Sequence, residues 1–583
     1  MRDRRRGARL AAGAAGALLA LGACTAPAEE APDEGPTSVT VAWDQPFTTY
    51  NAAATGSTSG DAALAHLTRA AFAVPDGEAG PGPALGTAEV LSQDPLRVRY
   101  ALAEGATWSD GVPVDAADLL LDWAAGSGAL DTPAADAAAA GEGAVLFGGR
   151  VSSGLARATA VPEVAPDGRS LTLAFDEPVA DWPTALGAGL PAHVVARQAL
   201  GATDPRAAKD AVVDAVQQGD PARLAPLSRA WATGSALLAA GAVTGAEAAE
   251  RFPSTGPYAV REAGPDQVVL ERTAGGEGYD QVVLRHLPDP QEAVRALAAG
   301  EVDVVSPPAT AAVLTALRAL EGVEVAAGAG DAAELLLLRT TGSRNPGVLA
   351  DARVRQALAR VVPRQEVVDE LVAPVQADAV VRDSFLLGPA DPGYAEAVAA
   401  NGSAAFDDVD VDGARALLAQ AGVTAPQVCV LHDPGNPRRA EVFALLQESA
   451  ARAGFRITDC GAADWAAQLS RPGAWDAVLL GARSSGDPTD LRPLLTTGGA
   501  ANPTGYSDPA VDGLFAELAA TTDGARRAEL VVRLDAALWQ GAPAVPLFQA
   551  PALAAWSDEV LGVTPSALPW GVLEGVQDWR PAP

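Results

Sequence analysis

Short apolar segments of strand character alternate with Ala/Leu-rich segments of helical character along most of this 583-residue chain. Ser38 to Trp43 and Leu96 to Leu102 are predicted strands, and a turn at 108–111 and a helix from Asp115 to Ala125 follow the second one. This alternation predicts an α/β protein with mixed sheets. With 49% hydrophobic residues the chain can form several large cores, and its length predicts two to four domains.

The net charge narrows the classes of partner. The formal charge is -32 at pH 7, from 73 acidic and 41 basic residues. A surface of this sign repels phosphate backbones and anionic lipid headgroups, so we expect no nucleic-acid partner. The need for solubility is enough to explain such an acidic surface. The net charge therefore does not indicate a function that depends on the acidic residues.

The N-terminus has the order of an export signal. An Arg-rich start precedes an apolar run from Leu10 to Leu21, and Leu21-Gly22-Ala23-Cys24 resembles the lipobox of bacterial lipoproteins. The run is too short for a comfortable membrane span. We predict a signal peptide over 1–23, lipidation at Cys24 and a flexible tether over 24–37, with the protein exported and anchored to the outer face of the cytoplasmic membrane. The alternative is an ordinary secreted protein whose signal contains a cysteine. We expect no transmembrane helix in the mature chain.

Two cysteines remain after Cys24. Cys429 lies in a predicted strand (427–431) and Cys460 ends another (455–460), with a helix over 440–453 between them. If the strands are parallel neighbours, the thiols can approach bonding distance, and an oxidising compartment then favours a disulfide. Two buried free thiols are the alternative. The histidines show no ligand spacing, so we expect no metal site and no cofactor; they are His66, His193, His286 and His432.

Seven segments carry a resemblance to a known family. Their motifs include WSDG followed by PVDAAD, STGPY, AAGEVDV, DARVRQAL, a helix of the A-x-x-L-L-x-x-A-G type, YSDPAVD and VPLF. In this order they resemble the extracytoplasmic solute-binding protein family 5, the peptide/nickel/opine-binding group that includes the oligopeptide-binding proteins. The segments are Tyr100–Asp118, Ser254–Tyr258, Ala298–Val304, Asp351–Leu358, Asp412–Gly422, Tyr506–Asp512 and Val545–Phe548.

The resemblance implies a two-lobed periplasmic-binding-protein-like α/β fold of the large type II class, with an extra domain inserted in lobe I. Carried over, lobe I comprises 38–60, 172–305 and 530–583, the inserted domain 61–171, and lobe II 306–529. Such proteins close by a hinge around a solute. The chain is thus expected to be the binding lipoprotein of an ABC importer, a monomer that captures an oligopeptide or related solute and delivers it to permease and ATPase subunits.

The expected binding segment of lobe II departs from the peptide-binding pattern. Peptide binders of the family have a W-x-x-D-Y-x-D-P segment whose first aspartate pairs with the α-ammonium of the ligand. Here Gly481 stands in place of the tryptophan and Ser484 in place of that aspartate, while Asp487 is kept. A neutral serine loses a charge-assisted hydrogen bond of about 1.5–3 kcal/mol unless Asp487 or another acid substitutes. Arg483 instead favours a carboxylate or other anionic group.

Five further residues are predicted to line the cleft. They are Trp43 and Asn51 after the first strand, Ser57 and Ser59 in the loop at 55–60, and Tyr506. Each has a structural alternative, since Trp43 can be a core residue and the Thr/Ser/Gly loop can be a simple turn.

Two other classes of function compete. A cell-wall hydrolase has no support, because the G-x-S-x-G, H-E-x-x-H and Walker motifs and a Cys-His pairing are all missing from the sequence. We therefore expect no enzymatic activity, although dispersed carboxylates leave a paired-carboxylate site open. A transport-independent lipoprotein that senses a ligand in the same cleft cannot be separated from an importer component by sequence.

Overall fold

The computed structural model of the protein describes residues 37–583 except 55, 74–83, 132–145, 148–153, 177–178, 180–181, 238–241, 265, 274–277, 463, 470, 484–486, 500 and 567–569. The predicted signal peptide, Cys24 and most of the tether therefore lie outside the described residues. So do Ser484 and the side chain of Arg483.

The strands alternate with helices along the chain, as the sequence predicts. The strands are β1 (Ser38–Trp43), β2 (Phe72–Ala73), β3 (Gly86–Gln93), β4 (Leu96–Leu102), β5 (Glu163–Val164), β6 (Ser170–Ala174), β7 (Val243–Thr244), β8 (Tyr258–Ala263), β9 (Gln267–Arg272), β10 (Gln281–His286), β11 (Val304–Val305), β12 (Val323–Leu338), β13 (Gln427–Leu431), β14 (Arg456–Asp459), β15 (Ala477–Arg483), β16 (Ala544–Ser557), β17 (Val560–Leu561) and β18 (Arg580–Pro581). The helices are α1 (Ser59–Thr68), α2 (Ala116–Gly126), α3 (Ala192–Leu200), α4 (Pro205–Gln218), α5 (Pro221–Thr233), α6 (Gly245–Arg251), α7 (Pro290–Ala298), α8 (Ala311–Arg318), α9 (Ala352–Ala359), α10 (Arg364–Val367), α11 (Tyr394–Ala400), α12 (Val411–Ala421), α13 (Pro437–Arg452), α14 (Trp465–Gln468), α15 (Arg492–Leu495), α16 (Pro509–Ala520) and α17 (Gly524–Gly541).

One 11-stranded sheet extends through both halves of the molecule. Its order is β14-β13-β15-β12-β16-β11-β1-β10-β9-β8-β7. The two strands at its centre, β12 and β16, are 16 and 14 residues long and pair antiparallel with each other. On one side β16 pairs with β11, and on the other β12 pairs with β15. These two crossing strands therefore connect two lobes.

Each lobe has its own hydrophobic core. The first core contains Val41 of β1 and the fully buried Trp579 near the C-terminus, together with the residues of a separate five-stranded sheet, β2-β3-β4-β6-β5. The second contains Leu336 of β12 and Trp475 before β15. A smaller core that includes Leu553 of β16 lies where the crossing strands meet the first lobe.

The packing of α17 bears on the predicted domain boundaries. Its buried residues Leu530, Leu534 and Leu538 belong to the core of the second lobe. The predicted return to lobe I at residue 530 falls inside this helix, so we propose that lobe II continues through Gly541. The five-stranded sheet spans Phe72 to Ala174, so its strand β6 crosses the predicted boundary at residue 171, and the separate inserted domain remains a prediction.

Local signals explain why several elements begin where they were predicted. The side chain of Asp115 accepts a hydrogen bond from the backbone N–H of Ala117, and Asp118 accepts one from the backbone N–H of Asp115, so the pair forms a capping box at the start of α2.

β13 and β14 are parallel neighbours, and a disulfide joins Cys429 and Cys460 across them with their Cα atoms 5.7 Å apart. The predicted pairing of these cysteines is therefore present in the structure.

Candidate functional site

Strand directions place four strand ends at one region of the crossing pair. β1 and β11 are parallel, and their carboxyl ends point along β16 toward its pairing with the second lobe. From the other side, the carboxyl end of β15 lies where Arg483 pairs with Ala332 of β12, and β13 runs parallel to β15. In open α/β sheets, ligands bind outside the carboxyl ends of strands. We call this region between the lobes the interlobe edge.

The ladder between the crossing strands is interrupted at the same place. Ala329 pairs with Pro551 and Ala333 with Gln549, so Gly330 and the two residues after it stand opposite the single residue between Gln549 and Pro551. Pro551 has no N–H to donate. The side-chain amide of Gln549 instead donates to the carbonyl oxygen of Gly330 at 2.7 Å. A bulge with few ladder hydrogen bonds is a suitable position for bending.

On the lobe II side, a buried ion pair lies under the end of β15. Arg439, in the first turn of α13, donates from Nε to Glu334 Oε1 at 2.7 Å and from Nη2 to Oε2 at 3.3 Å. Glu334 lies on β12 and is 2% exposed. The guanidinium carbon of Arg439 lies 5.5 Å from the centre of a Trp465 ring. The carboxylate is thus held by a bidentate pair.

Gly481 of β15 lies directly against this ion pair. A Cβ at this position would lie 3.3 Å from Arg439 Nη2 and 3.8 Å from Glu334 Oε2. A tryptophan at this position would have to displace the guanidinium. The glycine and the ion pair therefore fit each other, and this explains the departure at Gly481 that was noted in the sequence.

The neighbouring Arg438 reaches the smaller core, in which Ala309 packs with Ala42 of β1. Its Nη1 donates to the carbonyl oxygen of Ala309, just before α8, at 2.9 Å. Its guanidinium carbon lies 5.8 Å from the ring centre of Phe548 on β16. Its Nε is buried and has no hydrogen-bond partner among the described residues. Burial lowers the pKa of Arg438, an effect that Glu334 opposes and Arg439 increases.

On the lobe I side, the segment after β1 is held by one buried carboxylate. Asp61 of α1 accepts hydrogen bonds from the backbone N–H groups of Thr48 and Thr49, at 2.7 and 3.0 Å, and from that of Thr58 at 2.9 Å. Trp43 ends β1 and is 7% exposed, and its indole Nε1 has no partner among the described residues. The ring packs in the lobe I core, at the base of the interlobe edge.

Several residues predicted to line the cleft have their polar groups occupied within their own lobes. Asn51 is buried, and its side-chain amide donates to Trp231 O at 2.9 Å. Ser57 Oγ donates to Ala52 O at 2.8 Å, while Ser59 is the first residue of α1. These contacts occupy the side chains of Asn51 and Ser57, and ligand binding by all three residues remains a prediction.

Asp487 and Tyr506 are similarly engaged in lobe II. Asp487 accepts hydrogen bonds from Thr489 N and Oγ1 at 2.7 and 2.6 Å, and Arg527 Nη2 lies 3.1 Å from its other oxygen. Tyr506 is 3% exposed, and burial raises the pKa of its phenol. Both oxygens of Asp487 thus have partners within lobe II, and ligand binding by Asp487 and Tyr506 remains a prediction.

Sequence reasoning did not find Arg438, Arg439 or Glu334. A signal was present, because two adjacent arginines at the start of a helix oppose the favoured placement of charge at a helix N-terminus.

In the part of the chain that the structure describes, no group of three or more His, Cys, Asp or Glu side chains is placed to hold a metal ion. Within the same residues, the helices lack the length and apolarity that a membrane span requires.

Two lobes that are joined by a pair of crossing strands, with strand ends converging between them, define a solute-binding protein of the two-lobed class. Residues 80–502 match the model of the bacterial extracellular solute-binding proteins, family 5 middle region, and the chain belongs to this family. Family 5 comprises solute-binding proteins of ABC importers. The family and the two-lobed fold predicted from sequence are thus confirmed.

Curated relatives carry lipoprotein names. The chain is 27% identical over 538 residues to an uncharacterized lipoprotein of Mycobacterium bovis, covering 88% of this chain and 87% of the relative. It is 26% identical to an uncharacterized lipoprotein of Mycobacterium leprae, with 87% and 86% covered.

Solved structures share the fold. A periplasmic EDTA-binding protein, EppA, superposes with a TM-score of 0.76 at 20% identity, covering 94% of this chain and 97% of its own. NikZ from Campylobacter jejuni, in complex with Ni(L-His), superposes with a TM-score of 0.68 at 17% identity, covering 93% of this chain and 99% of its own. The oligopeptide-binding protein AppA from Bacillus subtilis, in complex with a nonapeptide, superposes with a TM-score of 0.66 at 15% identity, covering 94% of this chain and 100% of its own.

Proposed function

We propose that this chain is the substrate-binding lipoprotein of an ABC importer. It captures an oligopeptide or related solute at the interlobe edge and delivers it, unaltered, to the membrane permease. Family membership and the crossing-strand architecture support the proposal. Lipidation at Cys24 and attachment to the outer face of the cytoplasmic membrane are part of it, and the lipoprotein names of the mycobacterial relatives support them.

The interruption between the crossing strands is the observation that carries the mechanism. The lobes are connected through β12 and β16, and their ladder is broken between the pairs Ala329–Pro551 and Ala333–Gln549. Rotation about a few residues of this kind is the usual basis of hinge closure. A solute that contacts both lobes binds the closed arrangement better and shifts the population toward it.

Two observations bear on the class of solute. The neighbours with this fold bind a nonapeptide, a nickel–histidine complex and EDTA, so the fold accommodates several classes of solute. Ser484 replaces the ammonium-binding aspartate of peptide binders. Peptides with blocked amino termini and other small carboxylates therefore belong in the panel beside free peptides.

The experiment is solute binding to the purified mature chain, followed by X-ray scattering. Native mass spectrometry identifies any solute that copurifies, and a panel of peptides, opines and chelates is tested by calorimetry. A bound solute is expected to lower the radius of gyration and to be recovered chemically unchanged. If scattering stays constant across the panel while a compound is converted, the proposal is wrong.

A matched pair of glycine variants tests the hinge. A Cβ at Gly330 would lie 3.0 Å from the carbonyl oxygen of Ala550, whereas a Cβ at Gly328 meets nothing within 4 Å. Gly330→Ala is expected to change solute affinity because the bulge must shift. Gly328→Ala, two residues away on the same strand, is expected to leave it unchanged.

A further inference from the structure

Two adjacent arginines lie at the interlobe edge of this acidic chain. The protein has a net charge of -32, yet Arg438 and Arg439 are adjacent in the first turn of α13, where the lobes meet. The charged groups that shift the pKa of Arg438 are Glu334, which raises it, and Arg439, which lowers it. Within the cluster of Glu334, Arg438 and Arg439, two guanidinium groups share one carboxylate, so the formal charge of these three side chains is positive by one.

Glu334 is already committed to one of the two arginines. Both of its oxygens accept hydrogen bonds from Arg439. Arg438 has five N–H donors, and the acceptor found for it among the described residues is the carbonyl of Ala309. Its Nε is buried without a partner in that part of the structure. A buried donor on a charged group is costly to leave unpaired, so an acceptor supplied by a ligand would relieve that cost.

The position of the pair suits a solute that is held between the lobes. Arg438 contacts Ala309, which packs in the smaller core with Ala42 of β1, while Arg439 lies beneath Gly481 at the end of β15. Gly481 itself contributes no side chain between β15 and the guanidinium of Arg439. An anionic group placed here would contact residues of both lobes, and its binding would favour closure.

On the basis of the proposed solute-binding function, we propose that Arg438 and Arg439 form a subsite for a carboxylate group of the solute. A carboxylate accepts bidentate hydrogen bonds from a planar guanidinium and matches the single excess charge. A phosphate monoester carries about -1.5 to -2 charges at neutral pH and would leave the buried site negative. The solute is therefore a carboxylic acid, such as a peptide with a free C-terminus.

The test compares paired probes on the purified mature chain by calorimetry and thermal shift. Each pair consists of an N-acetylated tri- to pentapeptide with a free carboxylate and the same peptide as a C-terminal amide, and EDTA and citrate are added as polycarboxylates. The carboxylate of a pair is expected to bind at least about tenfold more tightly than the amide, because a charge-assisted bidentate contact is lost. A phosphorylated peptide amide is included as a competing oxyanion.

Variants assign the effect to the subsite. Arg438→Gln is expected to weaken carboxylate binding by about tenfold or more and to remove the preference over the amide. Because Arg439→Gln alone would leave Glu334 buried and unpaired, Glu334→Gln/Arg439→Gln is made as a double variant, with the same expected loss. The matched control is Arg415→Gln on α12, whose side chain is 59% exposed and pairs with Asp412; it is expected to bind as the wild type does.

Three results would overturn the subsite. These are amides that bind as tightly as carboxylates, carboxylate binding that survives in Arg438→Gln, and a phosphorylated amide that binds best. A copurified neutral or cationic solute would also overturn it while leaving the solute-binding function intact. If no probe binds and no solute copurifies, both the subsite and the proposed function are wrong.

Discussion

Removing the disulfide of lobe II tests the packing of that lobe quantitatively. The bridge joins parallel strands β13 and β14 and closes a segment with a sequence separation of 31. In the loop-entropy model, a loop of this length contributes about 3.7 kcal/mol at 25 °C. For a unit of about 150–250 residues, each kcal/mol shifts the melting temperature by roughly 2–4 °C. Cys429→Ala/Cys460→Ser is therefore expected to melt roughly 7–15 °C below the wild type.

The assay is differential scanning calorimetry of the mature chain without Cys24, so that no other thiol is present. Cys429 is 2% exposed, and alanine at this position avoids a buried hydroxyl in the double variant. Dithiothreitol is expected to lower the melting temperature of the wild type and to leave that of the double variant unchanged. The reasoning fails if the two proteins melt together, or if two thiols react after unfolding of wild-type protein that was never reduced.

Three other predictions concern charge and anchoring. Lys209, the only lysine of the chain, is 4% exposed, and its Nζ lies 2.6 Å from a carboxylate oxygen of the fully buried Asp118. Lys209→Met is therefore expected to lower the free energy of unfolding, measured with a chemical denaturant, by about 3–5 kcal/mol. An unchanged free energy of unfolding would mean that water solvates the Asp118 carboxylate. Burial raises the pKa of Asp535 to about 6, so its favourable contribution to the free energy of unfolding is complete below its unfolded pKa and is lost as pH rises through 6. Asp535→Asn is therefore expected to reduce the loss of stability between pH 4 and about 7 by about 3 kcal/mol. If the free energy of unfolding of the variant depends on pH as that of the wild type does, Asp535 does not cause this loss. Cys24→Ala is expected to abolish metabolic labelling with a radioactive fatty acid and to release the protein into the medium, whereas continued labelling would contradict lipidation.

The elements predicted correctly are those whose signals are local. β1 and β4 have the predicted bounds, because alternating apolar residues between turn residues are typical of half-buried strands. The helix α2 begins after Asp115, where the capping carboxylate is visible in the sequence. The disulfide was also predictable, since the strand-helix-strand order around its cysteines indicated parallel neighbours.

The crossing strand β12 and the site residues could not be predicted in this way. β12 begins with a stretch rich in Ala and Gly, which has weak strand propensity, and the long antiparallel pairing of this stretch with β16 compensates. Asn51 and Tyr506 were chosen because they are polar or aromatic residues near expected strand ends. Both are buried; a long-range contact to Trp231 occupies the side-chain amide of Asn51, and the Tyr506 hydroxyl donates to the nearby Asp508.

The departures from the peptide-binding pattern in lobe II are connected through the structure. Without a tryptophan at 481, the space beside β15 is open to the guanidinium of Arg439, and Glu334 on the adjacent strand neutralises it. The pairing of Glu334 with Arg439 leaves Arg438 for a ligand group in the proposed subsite, and Ser484 stands in the sequence where the resemblance places an aspartate. We therefore expect the proposed subsite to prefer a carboxylate over an ammonium. Because the net charge of -32 repels an anion at long range, an anion-binding subsite needs positive groups close to the ligand.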